Sequence, residues 1–305
     1  MTTNPIRPPA GGPRVDIVVR TMADDQRAAS LFRALDTIQD QRGVWARPIV
    51  MVNGDRRSPA VMARLLRRAG IVWRVMDAPD PANALVQGVR RVEAPFYMVL
   101  DDDDELLPDA LHGLIPATPS ADRWDVLITN RYCHSDGVIQ IETADLEAQA
   151  ADPMNSLLDD NWLAPGRAVF RTATVTAALI DVGQFNQEWT HIAMRLVRHG
   201  LRLQFRDVPS ALCHDTEGSA SKSDLCRQNE IHFWNTIGAE ITMDRPLRRR
   251  IATKRANLLH SMAVRRAQGG QPWAAWHYHL QSLRPPHFFK YILYTRKLLG
   301  PSLRR

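Results

Sequence analysis

The sequence predicts an α/β protein, with a Rossmann-like, mostly parallel central sheet flanked by helices and a helical C-terminal extension. Three observations carry this. Short β-branched runs alternate with stretches of helical period through the first hundred residues. The runs are mostly apolar, the pattern of strands buried on both faces. Beyond Ser223 the strand signal stops and basic, helical sequence takes over.

Residues 15–19 form the first run, which ends at Arg20-Thr21. Ala28, Leu31, Leu35 and Ile38 follow at helical spacing behind Asp24 and Asp25, which suit a helix start. Residues 49–52 are a second strand closing on Asn53-Gly54-Asp55, a turn sequence. Ser58-Pro59 reads as an N-cap and first helical residue, with Val61, Leu65, Leu66 and Ala69 as the buried stripe. Residues 71–76 are a third strand, and Leu85, Val89 and Val92 mark a third helix. The fourth strand, residues 96–100, runs straight into Asp101, Asp102, Asp103 and Asp104. Further on, residues 125–129 and 138–141 read as strands, with a turn at residues 134–137. Ile192 and Leu196 mark a helix ending at Gly200, and residues 203–208 one more strand. Ligands of parallel sheets bind beyond the carboxyl ends of the strands. Arg20-Thr21, residues 53–55 and the four aspartates are therefore expected to line one crevice.

Composition narrows the class. With 305 residues, 45% hydrophobic and 24% charged, the chain has globular averages that argue against disorder. Cys133, Cys213 and Cys226 include no CxxC pair, which excludes a disulfide scaffold and a cysteine-built zinc module and fits a reducing compartment. No apolar run approaches the ~20 residues of a membrane span. Residues 1–14 carry four prolines and no apolar h-region, so they read as a loose tail, and a cytoplasmic protein is expected. The net charge of +6 is divided unevenly. From Asp244 onward there are 14 Lys and Arg against one acid, +13, which leaves 25 basic and 32 acidic residues before it, −7. Such a tail suits an anionic partner: a lipid surface, nucleic acid or the acidic body itself.

Four consecutive aspartates at a strand end repel one another and lose solvation in a crevice. A hard divalent cation, Mg²⁺ or Mn²⁺, relieves both costs. The structural alternative is a solvated acidic turn capping a helix after Pro108. No GxGxxG and no GxxxxGK[ST] occurs, so neither a dinucleotide fold nor a P-loop is indicated. A metal held by one or two carboxylates completes its shell with water and phosphate oxygens, which points to a diphosphate-bearing ligand. The DxDx loop of haloacid-dehalogenase-like phosphatases also sits at a strand end. It belongs to the first strand and continues with Thr or Val, whereas here the fourth strand carries the acids and Asp-Glu follows.

The segment from Phe96 through the aspartates to Pro108 resembles the DxD segment of family 2 glycosyltransferases of the GT-A fold. Gly88 falls where that family often has a glycine, residues 17–21 resemble its first strand, and residues 50–55 its second. Val182-Gly-Gln-Phe-Asn186, followed by Glu188 and Arg195-Leu196, resembles its acceptor-side motif, and His214 with Gly218-Ser-Ala-Ser221 its late histidine loop. The resemblance spans residues 15–222. It implies a nucleotide-binding half over 15–105, an acceptor-side half over 106–222 and a basic helical extension over 223–305.

By that resemblance the protein is a metal-dependent inverting glycosyltransferase using a nucleoside-diphosphate sugar, a UDP-sugar first, and a glycan, lipid-linked or small-molecule acceptor. Thr21, Asn53 and Asp55 would contact the nucleoside, Asp101 the ribose side, with Arg20 and Asp102 in the same nucleotide-sugar set. Asp103 and His214 would hold Mn²⁺ or Mg²⁺. The sequence departs from the family at three positions: Val86 where Asn is common, Asn53 where an acid is common, and Trp189 in place of the usual catalytic aspartate. The base is therefore expected to be Glu188, with His191 or Asp160 as substitutes. A nucleotidyltransferase, a phosphatase or an inactive binding module are the rival readings. The basic tail, interleaved with aromatics that include Trp273, Trp276, Phe288 and Phe289, is expected either to touch an anionic membrane peripherally or to pack as an appendage. No nucleic-acid partner is expected, and the tryptophans are expected in the core.

Overall fold

Val15, Ile17, Val18 and Val19 are all fully buried, as a strand covered on both faces requires. In the computed structural model, which describes residues 12–116, 124–183, 187–215, 223–284 and 288–299, they lie in β1 (Arg14–Thr21). Most of the N-terminal tail, residues 184–186 of the acceptor-side motif, the 218–221 loop, Arg304-Arg305 and the side chain of Phe288 lie outside the described residues. The chain divides into two compact units, residues 1–217 and 218–305.

The first unit continues with α1 (Ala28–Gln39), β2 (Trp45–Asn53), α2 (Pro59–Arg67), β3 (Val72–Met76), α3 (Pro81–Val89), β4 (Phe96–Asp101) and β5 (Glu105–Leu106). It then runs through β6 (Val126–Ser135), β7 (Val138–Ile141), α4 (Pro153–Ser156), β8 (Ala168–Arg171), α5 (Ala177–Ile180), α6 (Glu188–Arg198) and β9 (Leu203–His214). The strands form one sheet in the order β3-β2-β1-β4-β8-β6-β9-β5, with β7 hairpinned onto β6. β3, β2, β1 and β4 are mutually parallel. β8 enters antiparallel to both β4 and β6, while β6 and β9 run parallel. In register, Thr21 lies beside Val52 and Arg20 beside Asp101, so three strand ends open on the same edge.

Helices cover both faces. Ile17, Val19, Val50 and Val52 pack with Leu31, Leu35, Val61 and Leu65 of α1 and α2. On the opposite face α3 approaches so closely that a Cβ on Gly88 would overlap Val18 Cγ1 and lie 3.2 Å from Met51 Cγ. Asp16, buried within β1, is matched by Arg47 of β2 at 2.8 Å and accepts the N–H groups of Glu93 and Ala94. Asp125, just before β6, accepts three bonds of 2.9–3.0 Å from Arg202, just before β9.

Several sequence expectations change. Residues 108–114 form turns, not a helix, and Leu111 N–H donates to Gln41 Oε1 there. The last strand runs on to His214, six residues beyond the apolar run, because β6 supplies a parallel partner that far. α2 stops at Arg67, so Ala69 lies outside it, and Leu66, one 100° step past Leu65, is 54% exposed.

The second unit is helical: α7 (Asp224–Thr236), α8 (Arg245–Gln268), α9 (Pro272–Ser282), α10 (Phe288–Tyr291) and α11 (Thr295–Leu299). Ser223 Oγ caps α7 through Cys226 N–H, and Asp244 caps α8 through Leu247 N–H. Ile231, Leu259 and Met262 form its core. Trp234 is buried, but Trp273 is 87% exposed, against the expectation that the tryptophans are core. Among the described residues no helix is long and apolar enough to cross a membrane.

Two stability effects follow. Gly88→Ala must push into a stiff, buried valine of the central strand, and about 1–3 kcal/mol of stability loss is expected in urea denaturation. Arg202 holds the Asp125 carboxyl down to about 2, against an ordinary 3.8. A depressed carboxylate stabilises the fold above its unfolded pKa and loses that stability as pH falls through the folded one. Asp125→Asn should therefore cost about 1–2 kcal/mol at pH 7, Arg202 being half-exposed, and the gap to the native protein should roughly halve by pH 3.

Candidate functional site

Arg20 is the last β1 residue but one, and its register neighbour on β4 is Asp101. Its side chain, only 12% exposed, donates from Nη2 to Asp101 Oδ1 at 3.3 Å and from Nη1 to Glu188 Oε1 at 3.1 Å. A third bond goes to Pro81 O at 3.2 Å. Burial alone would lower its pKa, but the carboxylates of Asp101 and Glu188 outweigh burial and the net shift is upward. One guanidinium thus ties the end of β4 to the N-terminus of α6, where Glu188 is the first helical residue and buried.

After β1 the chain folds back through Ala23, which has a φ of 52° and is fully buried. This left-handed turn costs an L-residue about 1–2 kcal/mol. It lets Ala23 N–H donate to Thr21 Oγ1 and Ala23 O accept from Ser58 N–H, which holds the loop against α2. Asp24 then accepts from Arg27 N–H. The Arg27 guanidinium pairs with Asp102 Oδ1 through Nη1 and with Asp103 Oδ2 through Nη2 at 3.5 Å.

Positive charge nevertheless falls short of negative. Burial, helped by Asp103, pushes the Asp102 carboxyl up to about 6 despite Arg27 and the Thr21 hydroxyl. Asp102 Oδ2 is buried with no hydrogen-bond partner among the described residues. Burial, then Asp101, also raises Asp103 against Arg27 and His214. Asp104 is held well above the usual carboxylate range by burial and then Asp101, against Arg131 at 3.7 Å.

The far wall is the end of β9. His214 N–H donates to Asp104 Oδ1, its Nε2 meets Glu105 Oε1 at 2.7 Å, and its Nδ1 lies 3.4 Å from His134 Nδ1 on β6. Glu105 also pairs with Arg33 of α1. A metal ligated by His214 would have to displace one of these ring contacts. Among the described residues no group of three His, Cys, Asp or Glu is arranged to hold a metal by itself. The donor chemistry, carboxylate oxygens with an orphaned buried oxygen among them, fits a hard divalent cation whose shell is finished by water and phosphate.

The structure thus brings Arg20, Thr21, Asp101, Asp102, Asp103 and Glu188 into one linked cluster, with His214 beside it. Asn53 and Asp55 sit at the neighbouring strand end, apart from that network. Asn53 Oδ1 accepts from Asp80 N–H at 2.8 Å, and Asp55 is exposed. Of the substitutes for Glu188, His191 is fully buried, and Asp160 accepts from Thr143 and Gln149. Arg27, Glu105 and Arg131 were missed by sequence reasoning. Arg27 carried a weak signal, a cation seven residues past Arg20 behind two aspartates. Glu105 directly follows the four aspartates but was given no role, and Arg131 carried no signal, because tertiary pairing alone brings it to the cluster.

No protein-family model matches the chain, and no curated protein matches it. In fold it is similar to crystal structures of residues 1–349 of S. aureus TarS. With UDP-GlcNAc the TM-score is 0.58 at 12% identity, over 88% of this chain and 81% of that one. With UDP it is 0.55 at 12%, over 89% and 81%. A third structure of the same segment gives 0.53 at 11%, over 88% and 90%. The GT-A-like α/β fold expected from the sequence motifs is the fold of this chain.

Proposed function

We propose that the protein is a glycosyltransferase that moves a sugar from a nucleoside-diphosphate sugar, a UDP-sugar first, onto an acceptor hydroxyl with inversion. The observation that carries this reading is the buried, under-compensated aspartate cluster at the open ends of parallel strands. It is supported by the likeness in fold to a protein crystallised with UDP-GlcNAc and with UDP.

Thr21, Asn53 and Asp55 take the nucleoside, and Asp101, with Arg20 and Asp102, the ribose and sugar side. Among the described residues only Oδ1 of Asn53 is bonded, so its amide NH₂ is left for a base carbonyl. Asp103 and His214 would hold Mn²⁺ or Mg²⁺, His214 giving up Glu105. When bound, the ion would neutralise charge on the departing diphosphate. Glu188 accepts the proton of the acceptor hydroxyl as that oxygen attacks the anomeric carbon. Arg20 fixes Glu188 in place through Oε1, the one oxygen of that carboxylate bonded among the described residues. Because Arg20 also grips Asp101, the base and the donor side are set by the same side chain. The protein is proposed to act in the cytoplasm, with its basic extension turned to an anionic membrane.

Incubation with UDP-GlcNAc and Mn²⁺ should release UDP, measured by chromatography. Glu188→Gln should lower kcat about 10²–10⁴-fold with UDP affinity unchanged. UDP binding without turnover would favour a binding module, and pyrophosphate release a nucleotidyltransferase. Asp103→Ala should abolish the Mn²⁺-dependent part of UDP affinity in calorimetry while the far-ultraviolet spectrum stays unchanged. Equal affinity with and without the carboxylate would remove its metal role.

A further inference from the structure

The second unit has features that the proposed chemistry does not use. Of eleven large apolar side chains exposed among the described residues, five fall in residues 272–299: Trp273 at 87%, Leu280 at 59%, Phe289 at 83%, Leu293 at 68% and Leu299 at 45%. Trp273 and Leu280 are seven apart on α9, two helical turns on one face, while Ala275, His279 and Ser282 of that helix are buried. Phe289 and Leu293 are four apart on the returning segment. α9 packs against α10 and α11, and its His279 Nε2 meets Thr295 Oγ1 at 2.8 Å, so both exposed rows lie on elements that pack together.

Charge runs the same way. Residues 245–305 hold 14 Lys and Arg and no acid. Arg265 and Arg266 of α8 share Asp224 as a partner, but Arg284, Lys290, Arg296 and Lys297 are exposed with no acidic partner among the described residues. A surface that sets exposed Trp, Phe and Leu beside cations without an acidic partner among the described residues matches the boundary of an anionic bilayer, which offers hydrocarbon and phosphate at once. Nucleic acid would satisfy the charges and leave the leucines in water. A second copy using the same face would bring like charge against it.

We propose that residues 272–284 and 288–299 present an interfacial membrane-docking surface. Trp273, Leu280, Phe289 and Leu293 enter the headgroup–acyl boundary, while Arg284, Lys290, Arg296 and Lys297 pair with phosphates of anionic lipids. This deepens the membrane contact proposed above and is independent of the transfer chemistry.

Co-sedimentation of the full chain with phosphatidylcholine vesicles, with and without phosphatidylglycerol, tests it without any sugar substrate. Binding at least tenfold tighter to the phosphatidylglycerol vesicles, weakened by salt, is expected. Trp273→Ser with Phe289→Ser should reduce that binding about tenfold or more at an unchanged circular-dichroism spectrum, since both side chains are already in water. Arg296→Gln with Lys297→Gln should remove only the preference for phosphatidylglycerol. Equal recovery with and without vesicles would overturn the proposal. So would unchanged binding by the Trp273/Phe289 variant, binding lost on nuclease treatment, or a lipid-free dimer that the same variant dissolves. Loss of UDP release would leave this result untouched, and the reverse holds as well.

Discussion

The structure turns on negative charge forced out of water at the end of β4. Four aspartates follow one another where a buried parallel strand leaves the sheet, so the backbone cannot scatter them into solvent. Asp102 and Asp104 are almost wholly buried, and burial outweighs every cation that faces them. Arg20, Arg27 and Arg131 each reach in from a different element, yet Asp102 keeps an oxygen with no partner among the described residues. Such strain at one edge, beside a non-glycine residue at positive φ, supports the cation role proposed for this cluster.

The same charge organises the surrounding elements. Arg20 is the hinge of this organisation, because it satisfies Asp101 on its neighbouring strand and Glu188 on a helix 168 residues away in sequence. Glu188 would otherwise be a buried acid at a helix start with only the dipole to favour it. Glu105 and His214 close the opposite wall by pairing with each other, which leaves the imidazole engaged until something competes for it. The site is thus a set of ion pairs held over the ends of the parallel strands.

Much of the first unit was legible because strands buried on both faces read as continuous apolar runs, as in residues 49–52 and 96–100. The aspartate run was legible for the opposite reason, since no core pattern accounts for it. β8 was not, because Ala168–Arg171 is four residues long and ends in a buried arginine that donates to Trp124 O and lies over the Phe96 and Trp124 rings. β5 is shorter still, and its existence depends on β9 lying alongside. Asp16 is a charged residue inside the first run, and only its tertiary partner Arg47 accounts for its burial. Partners such as Arg27 and Arg131 are properties of the fold rather than of any local sequence window. Trp273 was misplaced because residue type alone favours burial, and only the helical phase of α9 reveals that it faces outward.

The most direct measurement is diffraction from crystals soaked with UDP and Mn²⁺. Density for the diphosphate is expected against Asp103, with the manganese anomalous peak between them and the His214 ring withdrawn from Glu105. A nucleotide bound away from the β4 edge, or an aspartate cluster still paired with Arg27 and without an anomalous peak, would contradict the assignment of this cluster as a cation and diphosphate site.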